Sequence, residues 1–199
     1  MNDHAERHAA RMARKKAVID AAIARAEEER GVLLVLTGNG KGKSTSAFGM
    51  VARALGHGMQ VAVAQFIKSR TDTGEEALLA RQPGIQWRVL GAGFTWETQN
   101  LERDRATAQQ GWMEARRWLT DPAIHLVVLD ELTYLLKYGW LDPAQVLADL
   151  AARPPGQHVV ITGRACPQAV QDAADTVSEI ADVKHAWRAG VKAQKGVDL

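Results

Sequence analysis

Short apolar segments alternate with helical patterns along most of this sequence, and that alternation limits the folds that the chain can adopt. Five β-rich segments stand out: VLLVLT, VAVAQF, IQWRVL, IHLVVL and HVVIT. Several of them are apolar at consecutive positions, which is typical of strands covered on both faces. Helical patterns lie between or after them, at residues 43–55, 75–81, 101–119, 131–138, 143–152 and 167–174.

The order of these segments predicts an α/β fold. Strands joined through helices make right-handed crossovers, and such crossovers build a mostly parallel sheet flanked by helices. The later segment TVSEIADVKHA is a candidate for one more strand at an edge of the sheet. A chain of 199 residues is long enough for one such domain with its own core.

Residues 1–30 differ from the rest and predict an N-terminal helical arm. They are rich in Ala, Arg and Glu and contain neither Gly nor Pro. Met12, Ile19, Ile23 and Ala26 fall on one helical stripe, and charged residues fill the other faces. Two interpretations stay open: a solvated helix with a narrow apolar edge, or an arm that folds over a site or a partner subunit.

Charge and composition argue against several classes of partner and cellular location for this chain. The formal net charge is +2 and the basic residues are spread along the sequence, so neither nucleic acid nor an anionic membrane is predicted as a partner. No apolar run is long enough to span a bilayer. The single cysteine, Cys166, cannot form an internal disulfide, and the N-terminus lacks a secretory pattern. We therefore expect a cytoplasmic protein.

The stretch GVLLVLTGNGKGKSTSAFG, residues 31–49, runs from a predicted strand through a glycine-rich loop into a helix. Glycines let backbone N–H groups approach phosphate oxygens, and the helix directs its positive end to the same place. Lys43 can neutralise phosphate charge and the Ser44 hydroxyl can bind Mg²⁺. We therefore expect a single phosphate-loop NTPase-like domain over residues 31–199.

The spacing of this loop is one residue shorter than usual. Only three residues separate Gly38 from the Gly42-Lys43-Ser44 signature, where the common phosphate loop has four. A dinucleotide fingerprint does not fit either, because its third glycine would fall on Lys43. A tighter loop is expected to hold a triphosphate in a different pose, so transfer of the γ-phosphate is not assumed. A glycine-rich turn without a ligand is the alternative.

Acidic residues follow a second buried strand. IHLVVLDE ends in Asp130 and Glu131, and an acid after a hydrophobic strand is the usual second half of a phosphate-loop metal site. The alternative is that Asp130 only caps the helix that follows. Arg164 comes after HVVIT and so belongs to the same sheet edge, where it is either a phosphate contact or a surface ion pair.

An aromatic pair lies in a loop after a further strand. GAGFTWETQN, residues 91–100, places Phe94 and Trp96 next to glycines. These rings are expected either to anchor the loop on the core or to offer a flat apolar face to a large planar ligand.

Taken together, TGNGKGKS, GFTWETQN, VVLDELTYLLKYG, VVITGR and GVKAQKG resemble the phosphate-loop ATP:corrinoid adenosyltransferases, the cob(I)yrinic acid a,c-diamide or cob(I)alamin adenosyltransferase family. The resemblance covers almost the whole chain and includes the short loop. It implies that Co(I) of a corrinoid attacks the 5′ carbon of ATP and that triphosphate leaves. The runner-up function is a phosphate-loop ATPase or kinase, and a third is a corrinoid carrier regulated by ATP.

The resemblance also implies roles for individual residues. Lys43, Phe94 and Trp96 would act in catalysis, the two aromatic residues by lying under the corrin ring and displacing the lower ligand of Co(II). Ser44, Glu131 and the nearby Asp130 would hold Mg²⁺ or Mn²⁺. A reduced flavin or flavoprotein would supply electrons, and the enzyme would be a homodimer. The residues expected to bind ATP are Gly38, Asn39, Gly40, Lys41, Gly42, Lys43, Ser44, Thr45 and Arg164.

Overall fold

The computed structural model describes residues 2–67, 73–91 and 101–198. The chain separates into two compact units, Met1–Arg30 and Gly31–Leu199. Each unit is described by itself.

The first unit contains one helix, α1 (Asn2–Ala24). Its apolar residues Met12, Ile19 and Ile23 are all exposed, at 38%, 47% and 67%. The prediction that Ala26 continues this stripe was wrong, because the helix ends before it. The backbone N–H of Ala26 donates to the carbonyl of Ile23, a tightened last turn, and three successive glutamates follow at the negative end of the helix dipole.

The second unit is built on a six-stranded sheet. The strands are β1 (Leu33–Thr37), β2 (Val61–Gln65), β3 (Ile85–Val89), β4 (Leu126–Asp130), β5 (His158–Thr162) and β6 (Thr176–Glu179). They lie in the order β3-β2-β4-β5-β1-β6, and every pairing in this sheet is parallel. The predicted α/β class is confirmed, and β6 is the predicted additional edge strand.

Helices cover both faces of the sheet. They are α2 (Lys43–Gly56), α3 (Gly74–Leu79), α4 (Leu101–Leu119), α5 (Leu132–Lys137), α6 (Pro143–Ala151) and α7 (Gln168–Asp172), with a 3₁₀ helix at Ala186–Ala189. The predicted helical segments agree with these to within about two residues at most ends. The helix expected at residues 131–138 begins one residue later, because Glu131 has a left-handed backbone with φ 65°.

Alternating strand residues divide the core into two clusters. One face of the sheet packs α2 and Leu79 of α3 through residues such as Val63 and Val128. The other face packs α4 to α7 through residues such as Val127 and Leu129. This period-two alternation places the last residues Gln65, Asp130 and Thr162 of three neighbouring strands on the α2 side.

None of the helices in the described ranges is both long and apolar enough to cross a membrane.

Gly163, directly after β5, supports a stability prediction. Its φ is 141°, and a Cβ there would lie 2.0 Å from the Oγ1 atom of Thr133. Gly163→Ala is therefore expected to lower the free energy of unfolding by about 3 kcal/mol, measured by urea denaturation. Gly139→Ala is the control, since its φ of 67° is also positive but nothing lies within 4 Å of the added Cβ. That control should cost only about 1 kcal/mol. Equal losses would contradict the steric explanation.

Candidate active site

The glycine-rich loop between β1 and α2 is held by the segment that follows β6. The N–H of Gly40 donates to the carbonyl of Ile180 at 2.7 Å, and the N–H of Ile180 donates to the carbonyl of Thr37 at 2.9 Å. A Cβ on Gly40 would lie only 2.4 Å from the carbonyl oxygen of Ala181, so glycine is required for this close approach. The segment after β6 therefore fixes one side of the loop.

The loop ends where α2 begins. Gly42 is the N-cap residue, with φ 117°, a left-handed conformation that glycine adopts without strain. Nothing lies within 4 Å of the position that a Cβ would occupy on Gly42, so the loop faces open space at this point. Asn39 and Thr45 are exposed beside it. The first N–H groups of α2 and the positive end of its dipole are directed to this opening, an arrangement that suits an anion.

Lys43 is the first residue of α2, and only 7% of it is exposed. Its ammonium group donates to the carbonyl of Gly40 at 2.7 Å, so the side chain folds back over the loop. Burial lowers the pKa of Lys43 below its ordinary value of 10.5, and the positive charge of Arg164 lowers it further, whereas Glu131 and Asp130 raise it. A partly desolvated ammonium group at a helix N-terminus is a favourable partner for phosphate.

Asp130, at the end of β4, connects α2 to two strands of the sheet. It is fully buried. Its Oδ1 atom accepts hydrogen bonds from the Ser44 and Thr162 hydroxyls, each at 2.7 Å, and its Oδ2 atom accepts one from the Gln65 amide at 3.1 Å. The alternative in which Asp130 caps the following helix does not hold, because Glu131 occupies the cap position.

Glu131 is held in an uncommon backbone conformation. Its φ of 65° is in the left-handed region, which costs a non-glycine residue roughly 1–2 kcal/mol. Its backbone N–H donates to the Thr162 hydroxyl at 3.0 Å, and the same hydroxyl donates to Asp130. Thr162 therefore joins the two acidic residues. The left-handed backbone of Glu131 is a local strain of the kind that clusters at functional sites.

Arg164 and Tyr134 are close enough to this cluster to affect it electrostatically. Arg164 follows β5, its side chain is exposed, and its backbone carbonyl accepts a hydrogen bond from Thr133 at 2.8 Å. Burial raises the pKa of Tyr134, the charge of Glu131 raises it further, and Arg164 opposes both effects. These charges therefore lie at the same edge of the sheet as Lys43.

The C-terminal segment also reaches the loop. The ammonium group of Lys41 pairs with the Asp198 carboxylate at 2.7 Å. The N–H of Gln194 donates to the other oxygen of Asp198, and these two contacts lower the pKa of that carboxyl group. A cavity of about 360 Å³ borders Lys41 here, with Trp187 among its lining residues.

The donor set is suited to a hard cation bound together with a substrate. In the ranges that the structure describes, no group of three His, Cys, Asp or Glu side chains is arranged to hold a metal ion. The Ser44 hydroxyl nevertheless contacts the Asp130 carboxylate, and the Glu131 carboxylate is close enough to act on the same Lys43 ammonium group, so these oxygens are candidate ligands. Mg²⁺ is commonly bound by one or two protein oxygens, and water and phosphate complete its coordination shell. A small set of protein oxygens beside a phosphate site therefore fits Mg²⁺.

The structure brings together most of the residues proposed from the sequence. Gly38, Gly40, Gly42, Lys43 and Ser44 form the loop and the start of α2, and the two acidic residues and Arg164 lie at the same sheet edge. Lys41 is directed to Asp198. Phe94 and Trp96 lie outside the described residues, so their proposed roles stay predictions.

Several residues of this site were missed from the sequence. Gln65 is the last residue of β2, and Thr162 is the last residue of β5. The signal available in the sequence was a polar residue at the end of each buried strand. Tyr134 lies one helical turn after Glu131, within DELTYLL. No local signal pointed to Asp198, which is far from Lys41 in the sequence.

The lowered pKa of Lys43 predicts how stability depends on pH. Because the folded state binds this proton less tightly than the unfolded state, folding becomes more favourable as pH rises from the folded-state pKa towards 10.5. The difference in unfolding free energy between the wild type and Lys43→Met should therefore shift in favour of the wild type between pH 7 and pH 10. Urea denaturation at several pH values measures it, with the exposed Lys16→Met as a control for general charge loss. A difference that falls with pH would contradict this sign.

Comparison with known proteins identifies the family. The pattern of the ATP:corrinoid adenosyltransferase BtuR/CobO/CobP family matches residues 29–199, and the cob(I)alamin adenosyltransferase N-terminal pattern matches residues 1–23. A corrinoid adenosyltransferase from Pseudomonas aeruginosa is 59% identical over 98% of this chain and 96% of its own length. Corrinoid adenosyltransferase CobA from Salmonella typhimurium is 51% identical, and the corrinoid adenosyltransferase of Escherichia coli K12 is 49% identical; each alignment covers 97% of this chain and 98% of the relative. The chain belongs to the ATP:corrinoid adenosyltransferase family.

Proposed function

We propose that this protein transfers the 5′-deoxyadenosyl group of ATP to the Co(I) centre of a corrinoid substrate and releases triphosphate. The observation that carries the proposal is the family match over residues 29–199. The clustered Lys43, Ser44, Asp130 and Glu131 support it, because they provide what a departing triphosphate requires at the edge of a parallel sheet.

The proposed reaction needs no proton transfer. The electron pair of Co(I) forms the bond to C5′, and the bond between C5′ and the α-phosphate oxygen breaks with its electrons leaving on triphosphate. Cobalt is thereby oxidised formally from Co(I) to Co(III). Cys166 is not a competing nucleophile, because burial raises its pKa to about 11 and keeps it a thiol near neutral pH.

The main demand on the protein is stabilisation of the polyanion that leaves. Lys43 would exchange the Gly40 carbonyl for a phosphate oxygen, which turns a neutral acceptor into a charged one. The N–H groups of residues 38–45, except that of Gly40, which donates to the Ile180 carbonyl, and the exposed Arg164 would add donors. Such donors act efficiently when they are already oriented before the reaction, and the contacts behind Gly40 provide that orientation.

Ser44, Glu131 and Asp130 would hold Mg²⁺, or Mn²⁺ in its place. The ion would neutralise phosphate charge and orient the triphosphate. Ser44 donates its hydroxyl proton to Asp130, so the lone pairs of its oxygen remain for a cation. Asp130 would act on the cation through its hydrogen bond to Ser44, whereas the Glu131 carboxylate would bind the cation directly.

The remaining parts of the proposal depend on the resemblance. Phe94 and Trp96 would lie under the corrin ring and displace the lower ligand of Co(II). A reduced flavin or flavoprotein would supply the electron, the enzyme would work as a homodimer, and the reaction would take place in the cytoplasm. These statements stay predictions.

Product analysis tests the proposed reaction. Reduced corrinoid with Mg-ATP should give a light-sensitive adenosylated corrinoid and free triphosphate over many turnovers, detected by absorbance and anion chromatography. Both an a,c-diamide intermediate and complete cobalamin should be tried as substrates. ADP and orthophosphate as the sole products would instead indicate a phosphate-loop ATPase or kinase. Tight corrinoid binding without turnover would indicate a carrier.

Lys43→Ala should reduce kcat/KM roughly 100-fold, a loss of about 3 kcal/mol of transition-state stabilisation, as for other preorganised charged contacts. Lys41→Ala is the matched control in the same loop. Its loss should be smaller, because the ammonium group of Lys41 is directed to Asp198. Near-normal turnover of Lys43→Ala would remove this residue from the reaction.

Phe94→Ala and Trp96→Ala should reduce turnover most when the corrinoid is supplied as Co(II), since their proposed role is to make Co(II) easier to reduce. The measurement is the rate from Co(II) with a reductant against the rate from chemically prepared Co(I). Equal losses in the two assays would contradict the ligand-displacement role.

A further inference from the structure

Gln65 occupies a position that apolar residues fill elsewhere in β2. It is the last residue of the strand, it is fully buried, and its Cα pairs in register with that of Asp130 on β4. Its amide oxygen accepts a hydrogen bond from the indole N–H of Trp87 at 3.0 Å, and its amide nitrogen donates to Asp130 at 3.1 Å. A buried amide with both ends bonded has one orientation available to it.

Trp87, on β3, determines which orientation that is. The indole nitrogen is a donor and never an acceptor, so the Gln65 oxygen must face it. The Gln65 amide nitrogen is then directed to the Asp130 carboxylate. If the amide were turned over, its oxygen would face the carboxylate and its N–H₂ group would face the indole N–H, leaving both ends without a hydrogen bond.

The chain of hydrogen bonds continues from Asp130 to the phosphate loop. With its Oδ2 atom bonded to Gln65, the carboxylate presents Oδ1 to the Ser44 and Thr162 hydroxyls at 2.7 Å each. Ser44 therefore gives its proton to Asp130 and keeps its lone pairs for another partner. The indole of Trp87 is thereby connected to the Ser44 hydroxyl through two intervening side chains, Gln65 and Asp130.

We propose that Gln65 and Trp87 are positioning residues for metal-dependent ATP binding: Trp87 fixes the Gln65 amide, Gln65 fixes Asp130, and Asp130 orients Ser44. This inference rests on the proposed function, because it assigns a cation and ATP to the same site. Neither residue touches substrate in this scheme. Both act through the carboxylate.

A second tryptophan–glutamine pair, Trp118 on α4 and Gln86 on β3, provides a matched control. Gln86 is the neighbour of Trp87, and its side chain lies on the opposite face of the sheet, where it accepts the indole N–H of Trp118 at 2.9 Å. Trp87 and Trp118 are both buried, at 8% and 5% exposure. Replacing either by Phe removes one indole–glutamine hydrogen bond and leaves a similar space, but only Trp87 is connected to Asp130.

The test measures ATP affinity by calorimetry with and without Mg²⁺. Trp87→Phe and Gln65→Met should each weaken binding in the presence of Mg²⁺ about tenfold, as loss of an outer partner of a metal site commonly does. Binding without Mg²⁺ should stay near the wild-type value. Trp118→Phe should match the wild type in both conditions.

The double variant decides between a connected chain and two separate packing effects. If Trp87 acts through Gln65, Trp87→Phe combined with Gln65→Met should bind Mg-ATP no more weakly than Gln65→Met alone. Losses that multiply, or an equal loss in Trp118→Phe, would overturn the proposal. Gln65→Met alone keeps the test decisive if Trp87→Phe does not fold, because unchanged affinity for Mg-ATP in that variant also overturns it.

The outcome for this inference is separable from that for the proposed function. The binding measurements need no corrinoid, so the predicted coupling in a protein that forms no adenosylated corrinoid would support the positioning role and reject the reaction. If the wild type transfers the adenosyl group but the Trp87 and Gln65 variants keep full affinity for Mg-ATP, the reaction is supported and the positioning role is rejected. A wild type that does not bind Mg-ATP would overturn both.

Discussion

The structure of this site depends on the buried carboxylate of Asp130. A charge removed from water costs several kcal/mol unless it is paired or hydrogen-bonded, so the groups that face it must keep their positions. Those groups are the Ser44 hydroxyl from α2, the Gln65 amide from β2 and the Thr162 hydroxyl from β5. One side chain therefore holds the start of the phosphate-loop helix against two strands of the sheet.

A second constraint is the burial of Lys43. An ammonium group held away from water destabilises the apo protein relative to an exposed one, which the lowered pKa of Lys43 expresses. The acids Glu131 and Asp130 offset part of this cost. An anion bound at the loop would offset more of this cost, so a bound polyphosphate is expected to stabilise the folded protein.

The sequence was sufficient for the fold because strand-helix alternation and residue burial are local patterns. It also predicted that Lys43, Ser44 and Asp130 lie together at one edge of the sheet, as the structure has them, while their roles stay predictions. It was insufficient for Gln65, since a polar residue after an apolar run is as typical of a strand end in solvent as of a buried hydrogen bond. Only the register of β2 with β4 distinguishes these, and register depends on distant residues. The sequence was also insufficient for the pairing of Lys41 with Asp198 and for the left-handed backbone of Glu131.

The short loop is held by the segment that follows β6. Its backbone is fixed from behind by Ile180, and the contact of Gly40 with Ala181 leaves no room for even a methyl group. Because the backbone is held in this way, we expect a ligand to be accommodated mainly by side chains, first by Lys43, whose ammonium group donates to the Gly40 carbonyl at 2.7 Å. Donors that stay in place while charge moves onto a leaving triphosphate need little reorganisation during the reaction. In the proposed transfer the bond between C5′ and oxygen breaks and no phosphorus atom changes its coordination, so a preoriented anion site has to bind the triphosphate in one geometry only.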